Sequence, residues 1–345
     1  MDRAVLRKFL SAGVMVSPEA ADDITPEDYE KMMAKQDKPR VLNKEALQQI
    51  RSKRNIDVVY QNEEKGELSA KDFLAYYQNK IHALGPSITR RTGNGPVSIN
   101  KARPGQQNTV LGLAREITDS GFSLEDFTGK CEVVVKNTND IAENDVVGVS
   151  GFFSNGKIFA DSFTMPELPV KKNVKKTSSA AKIAFVNLHV NEGQINPQGT
   201  EEFVSVSLCE TAEGKKGIKI LGYWHGIAEE KAVPAVPSKV SVTLGGVVYK
   251  IQILQTPIKD SVDNLARIFS KKGYVSGPNT IPVFTEDMNA IDENADIIFL
   301  GLSEKAGASN YKGYTFVTVG ETDGSVIIDL HTREATLTVL NQPAR

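Results

Sequence analysis

The sequence predicts a multidomain protein of mixed α/β and all-β class, with a small helical N-terminus followed by two strand-rich parts. Helix start signals cluster before residue 85, short strand patterns separated by Gly, Asn and Asp fill residues 86–170, and a second strand-rich stretch with few helical patterns fills residues 181–345. A chain of 345 residues is long enough for two or three domains.

The N-terminal part is predicted to consist of a helical segment, residues 1–55, and a linker with one helix, residues 56–85. Ser17 and Thr25 each precede a proline, as N-cap residues do. The stretch SAKDFLAYYQNKIHALGP has an apolar helical face and is predicted to end at Gly85-Pro86. Before it, QIRSKRNIDVVYQNEEKGE is highly charged with weak periodicity, so we expect a flexible link there.

Residues 86–170 carry the strand patterns VSINKAR, TVLGLAREI, GFSLEDFTG, CEVVVK, DVVGVSGFF and KIFADSF. Five or six strands in this length suit a small closed barrel of the OB-fold type, although the spacing alone fits any small β-barrel. The following MPELPVKKNVKKTSSAAK has no periodicity and predicts a domain boundary, so that a third domain occupies residues 178–345.

Composition limits the classes of function. A net charge of -2 gives no overall electrostatic reason for nucleic-acid binding, so such binding needs a local basic patch. Cys131 and Cys209 are far apart, which argues against a disulfide framework or a cysteine zinc site and favours a reducing cytoplasm. The apolar N-terminal pattern is interrupted by charge, so we expect neither a signal peptide nor a membrane span.

The order of the pieces and three motifs, LEDFTG at 124–129, DVVGVSG at 145–151 and MPELP at 165–169, resemble the small subunit of archaeal family D DNA polymerases. More distantly the chain is similar to the B subunits of eukaryotic replicative polymerases. The resemblance implies that residues 178–345 form a calcineurin-like phosphoesterase α/β sandwich. In active members this domain is a 3'-5' exonuclease that holds two divalent metals.

The residues that would hold those metals depart from the family pattern. The family's Asp-x-His appears as Asn187-Leu188-His189, and its Gly-Asn-His-Asp is matched only by Trp224-His225-Gly226. Later motifs lose their histidines, and no aspartate occurs between Asp161 and Asp260. The resemblance therefore implies an inactivated domain without catalytic residues, metal or cofactor, in which the remnant positions are Asn187, His189, Trp224, His225, Gln255, Leu302 and Glu304.

The surviving histidines have a structural interpretation as well, because a histidine at a strand end is more often hydrogen-bonded structure than a ligand. Trp224, the single tryptophan, is expected to fill the vacated pocket with apolar surface.

Two basic clusters are candidates for DNA contact, and each is also explained by a solvated face, a linker or a protein interface. The aromatic residues that could stack on bases are few: Phe122, Phe127, Phe152 and Phe153, of which Phe127 and Phe152 are equally candidates for the barrel core. The basic candidates are Arg90, Arg91, Lys101, Arg103, Lys171, Lys172, Lys175 and Lys176.

The resulting hypothesis is a non-catalytic accessory subunit of a replicative DNA polymerase, associated with the nucleoid. The resemblance implies that its partner is the catalytic subunit, bound through a C-terminal zinc-bearing module. Two alternatives stay open. One is an active metal-dependent 3'-5' exonuclease with rearranged metal ligands, drawn from His189, Glu192, Glu210 and His225. The other is a stand-alone single-stranded DNA-binding OB protein.

Overall fold

The computed structural model describes residues 3–33, 40–44, 46–47, 56–61, 69–93, 95–187, 202–210, 216–224, 227–233, 238–256, 258–275, 289–320 and 325–338. The helices are α1 Arg3–Ser11, α2 Pro18–Ala21, α3 Pro26–Met33, α4 Ala70–Thr92 and α5 Val262–Lys272. The strands are β1 Met15–Val16, β2 Val41–Leu42, β3 Ile56–Gln61, β4 Gln106–Thr118, β5 Gly121–Glu125, β6 Lys130–Val134, β7 Val146–Ser154, β8 Lys157–Thr164, β9 Ala181–Val186, β10 Glu202–Glu210, β11 Lys216–Trp224, β12 Ile227–Val233, β13 Ser238–Leu244, β14 Val247–Ile253, β15 Ile297–Ser303, β16 Gly307–Tyr311, β17 Tyr314–Gly320, β18 Ser325–Asp329 and β19 Ala335–Thr338.

The N-terminus is a small helical unit with its own core. Helices α1 to α3 pack with the parallel pair β1 and β2 around the buried side chains of Phe9 and Met32. Thr25 caps α3 as predicted, since its backbone N–H donates to Asp28 Oδ2 at 2.7 Å and its hydroxyl accepts from the Asp28 N–H at 3.3 Å. Ser17 stands at the N-cap of α2 but makes no capping bond with its side chain.

Helix α4 does not end at Gly85-Pro86 as the sequence predicts, but continues to Thr92. Because Pro86 has no N–H, the helix loses the hydrogen bond that residue 86 would donate to the carbonyl of His82. His82 is exposed. Buried Leu84 and Ile88 offset that cost by packing with the barrel strands. Its start is as predicted, because Ser69 and Asp72 form a reciprocal capping box.

Strands β4 to β8 close into a barrel in the order β4-β5-β6-β8-β7, with β6 and β8 parallel and the other pairs antiparallel. The prediction of a strand over VSINKAR is wrong. Val97 makes an isolated bridge and residues Ile99–Lys101 form a 3₁₀ turn, because the Asp126 carboxylate accepts the Ile99 N–H at 2.7 Å. The two core candidates Phe127 and Phe152 are 50% and 42% exposed, which corrects that interpretation.

The C-terminal part consists of two mixed six-stranded sheets. Their strand orders are β12-β11-β10-β9-β18-β19 and β16-β17-β15-β14-β13-β3. A shared core lies between them, in which Phe185 and Phe299 are completely buried with ring centroids 4.9 Å apart. Helix α5 covers the outer face of the second sheet through Leu265 and Phe269. Strands β13 and β14 form a hairpin, in whose turn Gly245 and Gly246 supply the positive φ values of +55° and +72°.

The segment expected to be a flexible link supplies the edge strand β3 of this sandwich. It pairs antiparallel with β13, and its Ile56 is buried in the sandwich core. Ile56 and Val58, separated by Asp57, lie on one face of the strand and pack on the sandwich core, which favours this pairing. The high charge of the surrounding segment concealed this apolar face in the sequence.

The barrel and the sandwich meet at a buried carboxylate. Asp145, which precedes β7, is fully buried and accepts a hydrogen bond from the Tyr274 hydroxyl, just beyond α5. The same carboxylate lies 2.9 Å from Lys272 Nζ and accepts the Ala142 N–H at 2.8 Å. Lys80 of α4 places its ammonium 3.7 Å from the Tyr274 ring centroid. Three parts of the fold thus converge on one pair of side chains.

Gly273 tests how tightly this junction is built. Its φ is +68°, and an added Cβ would lie 2.3 Å from the Pro166 carbonyl oxygen. We expect Gly273→Ala to lower the free energy of unfolding by roughly 3 kcal/mol, because backbone strain and overpacking act together. Gly246→Ala is the matched control: its φ is +72° but nothing lies within 4 Å, so the cost is about 1 kcal/mol. Urea unfolding of both variants measures the difference, and equal losses would contradict a close contact at Pro166.

Candidate functional site

The remnant positions that the structure describes lie at or near the ends of sandwich strands. Asn187 directly follows β9, is 5% exposed, and donates from Nδ2 to the Gly320 carbonyl at 2.8 Å. The backbone of Trp224 ends β11. His189 and His225 lie outside the described residues, as do Glu192 and the side chains of Trp224 and Glu210. Asn187 therefore joins two sheets at the place where the resemblance puts a metal ligand.

The second group of remnant positions surrounds a bulge at the end of β15. Gly301 has a φ of +74°, and the register against β17 shifts between Phe299 and Leu302. Gln255 and Glu304 are exposed, and Leu302 is half-buried. Within the described ranges, no group of three or more His, Cys, Asp or Glu side chains could hold a metal ion.

Arg90 and Arg91, near the end of α4, are used within the molecule. Arg90 pairs with Glu293 of the sandwich, and Arg91 Nη2 lies 2.6 Å from Glu167 Oε2, between barrel and sandwich. Glu167 also accepts from Lys312. These arginines connect the helix to the rest of the fold, so a DNA phosphate would compete with carboxylates for them.

The chain that leaves the barrel crosses one end of the sandwich, and we call residues 165–177 the strap. It is held by backbone bonds from Leu168 N to Ser270 O at 2.8 Å and from Lys171 N to Lys312 O at 2.9 Å. At its end, Thr177 N donates to Leu330 O at 3.1 Å. The strap is therefore part of the fold rather than a solvated linker.

Two lysines of the strap converge on Asp296, which is 6% exposed. Lys175 Nζ lies 2.6 Å from its Oδ2 and 2.8 Å from the Val248 carbonyl. Lys171 Nζ lies 3.6 Å from Oδ1, donates to the Ala295 carbonyl and stands 4.5 Å from the Tyr314 ring centroid. Burial lowers the pKa of Lys171, and Asp296 only partly offsets that effect.

The remaining basic candidates, Lys101, Arg103, Lys172 and Lys176, are exposed. They divide between the start of the barrel and the strap, and the structure does not bring all eight basic candidates into one patch. Sequence reasoning missed Asp145 and Asp296. Their signal was an acidic residue immediately before a strongly apolar strand, since such a carboxylate is buried and needs partners.

No protein-family model matches the chain. The chain is distantly similar to the DNA polymerase II small subunit of Archaeoglobus fulgidus, with 23% identity over an alignment of 146 residues, and the match covers 39% of this chain and 30% of that protein. It thus covers less than a third of the length of this curated relative. Among solved structures, the hypothetical protein ygiW from E. coli aligns at 20% identity with a TM-score of 0.18, over 21% of this chain and 89% of that one. A TM-score this low supports no inference about fold or function.

A search of the described residues for an apolar helix of membrane-spanning length finds none.

Asp296→Asn tests the strap. The substitution leaves two lysine ammonium groups beside a neutral amide, one of them largely buried, so we expect a loss of about 3 kcal/mol in the free energy of unfolding. Glu293→Gln, which removes the exposed pair with Arg90, should cost less than about 1 kcal/mol. Urea denaturation measures both variants. Similar losses would mean that the Asp296 cluster contributes no more than a surface pair.

Glu167 gives a pH test of the same region. Burial alone would raise the pKa of its carboxyl, but the hydrogen bond and charge of Lys312, with the charge of Arg91, lower the pKa below 4.5. Because the folded pKa lies below the unfolded one, the stabilisation is present above pH 4.5 and is lost as pH falls through the folded value. Wild type should therefore lose more stability between pH 5.5 and 3 than Glu167→Gln, whereas Glu132→Gln, at an exposed pair, should follow wild type. Urea midpoints at about 0.5 pH-unit steps measure this.

Proposed function

We propose that this protein is a non-catalytic accessory subunit of a replicative DNA polymerase, which binds and stabilises the catalytic subunit. The observation that carries the proposal is the distant sequence similarity to a DNA polymerase II small subunit. The match covers part of both chains, so the activity and partner of the whole relative come to this chain only by proposal.

The arrangement of the chain supports the same proposal. The strand order β4-β5-β6-β8-β7 with one parallel pair is compatible with an OB-type barrel, and two mixed sheets with a helix on one outer face are compatible with a calcineurin-like sandwich. The chain's own contacts join the two units at Asp145 and along the strap. A joined pair of units can offer one continuous surface to a partner without contributing any chemistry.

The absence of nuclease chemistry is part of the proposal. Asn187 supplies a neutral amide, already bonded to Gly320, where a two-metal site would need a carboxylate. We place the remnant of that site at Asn187, His189, Trp224, His225, Gln255, Leu302 and Glu304. The partner surface would be the zinc-bearing C-terminal module of the catalytic subunit, as the family resemblance implies.

The test is to purify the affinity-tagged full chain from the source cells and identify stoichiometric partners by mass spectrometry. We expect a DNA polymerase catalytic subunit, and we expect primer extension by the complex to be more processive than by the catalytic subunit alone. If no polymerase subunit copurifies while the chain binds single-stranded DNA in a salt-dependent manner, the single-strand-binding alternative replaces the proposal.

The nuclease alternative has its own assay. Purified chain with Mn²⁺ should leave a 5'-labelled single-stranded oligonucleotide intact, and His189→Ala should behave as wild type does. Degradation that His189→Ala abolishes, with manganese bound in a metal analysis, would establish an exonuclease with rearranged ligands.

A further inference from the structure

An apolar row crosses the outer wall of the barrel. The strand registers place Phe152 of β7 directly opposite Phe159 of β8, and Phe159 directly opposite Val134 of β6. Val134 in turn pairs with Gly121 of β5. Side chains directly opposite on neighbouring strands point to the same face, with Cβ atoms roughly 5 Å apart. Phe152, Phe159 and Val134 therefore form one continuous strip, which we call the Phe row.

The Phe row faces outwards. Phe152 is 42% exposed and Phe159 is 48% exposed, whereas their chain neighbours Phe153 and Ile158 are 8% and 0% exposed. The inward neighbours belong to the barrel core. Phe153 and Ile158 thus pack inside the barrel, whereas Phe152 and Phe159 lie side by side on its outer surface, each nearly half exposed. Single exposed apolar residues are common, but adjacent aromatic residues on a flat sheet are typical of binding surfaces.

The row ends at a cleft. Val134 also lines a depression of about 580 Å³ between β4, β5, β6 and the turn that joins β7 to β8, and Glu116, Lys130 and Glu132 are among its other lining residues. Gly121 contributes no side chain to this lining, and its backbone lies so close to β6 that an added Cβ would lie 2.1 Å from the Val133 carbonyl oxygen. A bulky side chain of a partner could therefore enter the cleft while its neighbours cover the two phenylalanines.

The lysines beside the row are paired with glutamates. Lys157 Nζ lies 2.7 Å from Glu132 Oε2, and Lys130 Nζ lies 2.7 Å from Glu116 Oε2. At the other end of the row, Gln107, which pairs with Phe152, donates to Asp161 at 2.9 Å. The surface around the phenylalanines therefore has no excess of positive charge among these groups.

We propose that the Phe row and its cleft are the docking surface for an apolar, uncharged segment of a partner polypeptide, the catalytic subunit of the proposed function. The identity of the partner rests on the proposed function, whereas the surface itself is inferred from the Phe row. A segment without net charge is favoured, because a charged one would have to separate the two ion pairs of the rim. Single-stranded nucleic acid is the less favoured occupant, since its affinity depends on lysines and arginines free to meet phosphates.

The test uses the complex that copurifies with the tagged full chain. Phe159 is replaced by the photoreactive p-benzoyl-phenylalanine, and Val170, 68% exposed on the strap, is replaced in the same way as the control position. We expect an adduct with the catalytic subunit at position 159 and none at 170, with the crosslinked peptide apolar and of no net charge. Phe152→Ser combined with Phe159→Ser should weaken binding of the catalytic subunit by about thirtyfold or more, with thermal unfolding unchanged. Val170→Ser should bind as wild type does.

The outcomes separate the two proposals. Copurification without an adduct at 159, or with full affinity of the double variant, would overturn the docking surface and leave the accessory function standing. An adduct at 159 with an apolar segment of a different protein, when no polymerase subunit copurifies, would support the surface and overturn the function. Binding of a fluorescent 20-nucleotide oligothymidylate that the double variant loses would make the row a nucleic-acid platform and overturn the inference. If no adduct forms at position 159 and no polymerase subunit copurifies, both proposals are overturned.

Discussion

The attachment of the strap to the sandwich depends on the buried carboxylate of Asp296. It receives the ammonium groups of Lys171 and Lys175 and the backbone N–H of Lys250 at 2.9 Å. A buried carboxylate without partners would be expensive, so the strap has to lie where its lysines reach it. This fixes the path of the chain between barrel and sandwich. Asp145 then completes the junction from the barrel side, with Tyr274 and Lys272.

A junction of this kind limits how the two units can move. Rotation of the barrel against the sandwich would separate Asp145 from its partners and leave a charge in an apolar setting, which costs several kcal/mol. An arrangement several kcal/mol higher in free energy has a very small population, so the two units present their surfaces mainly in one arrangement. A scaffold protein benefits from such rigidity, because a preorganised surface loses little conformational entropy when a partner binds.

Sequence patterns predicted the parts of this fold that follow from local signals, including the start of α4, the cap of α3 and the barrel strands from β4 onwards. They failed where a distant contact decides the local structure. Helix α4 continues through Pro86 because Ile88 packs on the barrel, and β3 forms because β13 offers it an edge. The lysines of the strap looked like a solvated linker because the buried carboxylate that orders them lies 121 residues further along the chain.

The remnant positions rest on a motif resemblance alone, whereas the Phe row required coordinates. Phe152 and Phe153 are adjacent in sequence, and no pattern of two neighbouring aromatics tells which one faces the core. Register decides it: β7 alternates, so burial of Phe153 sends Phe152 outwards, and β8 places Phe159 opposite it. Phe152 and Phe159 support each other as a cross-strand pair, but each leaves nearly half of its surface in contact with water. Covering that apolar surface is favourable, and this is why the outer barrel wall, rather than the strand ends of the sandwich, is the surface where we expect a partner.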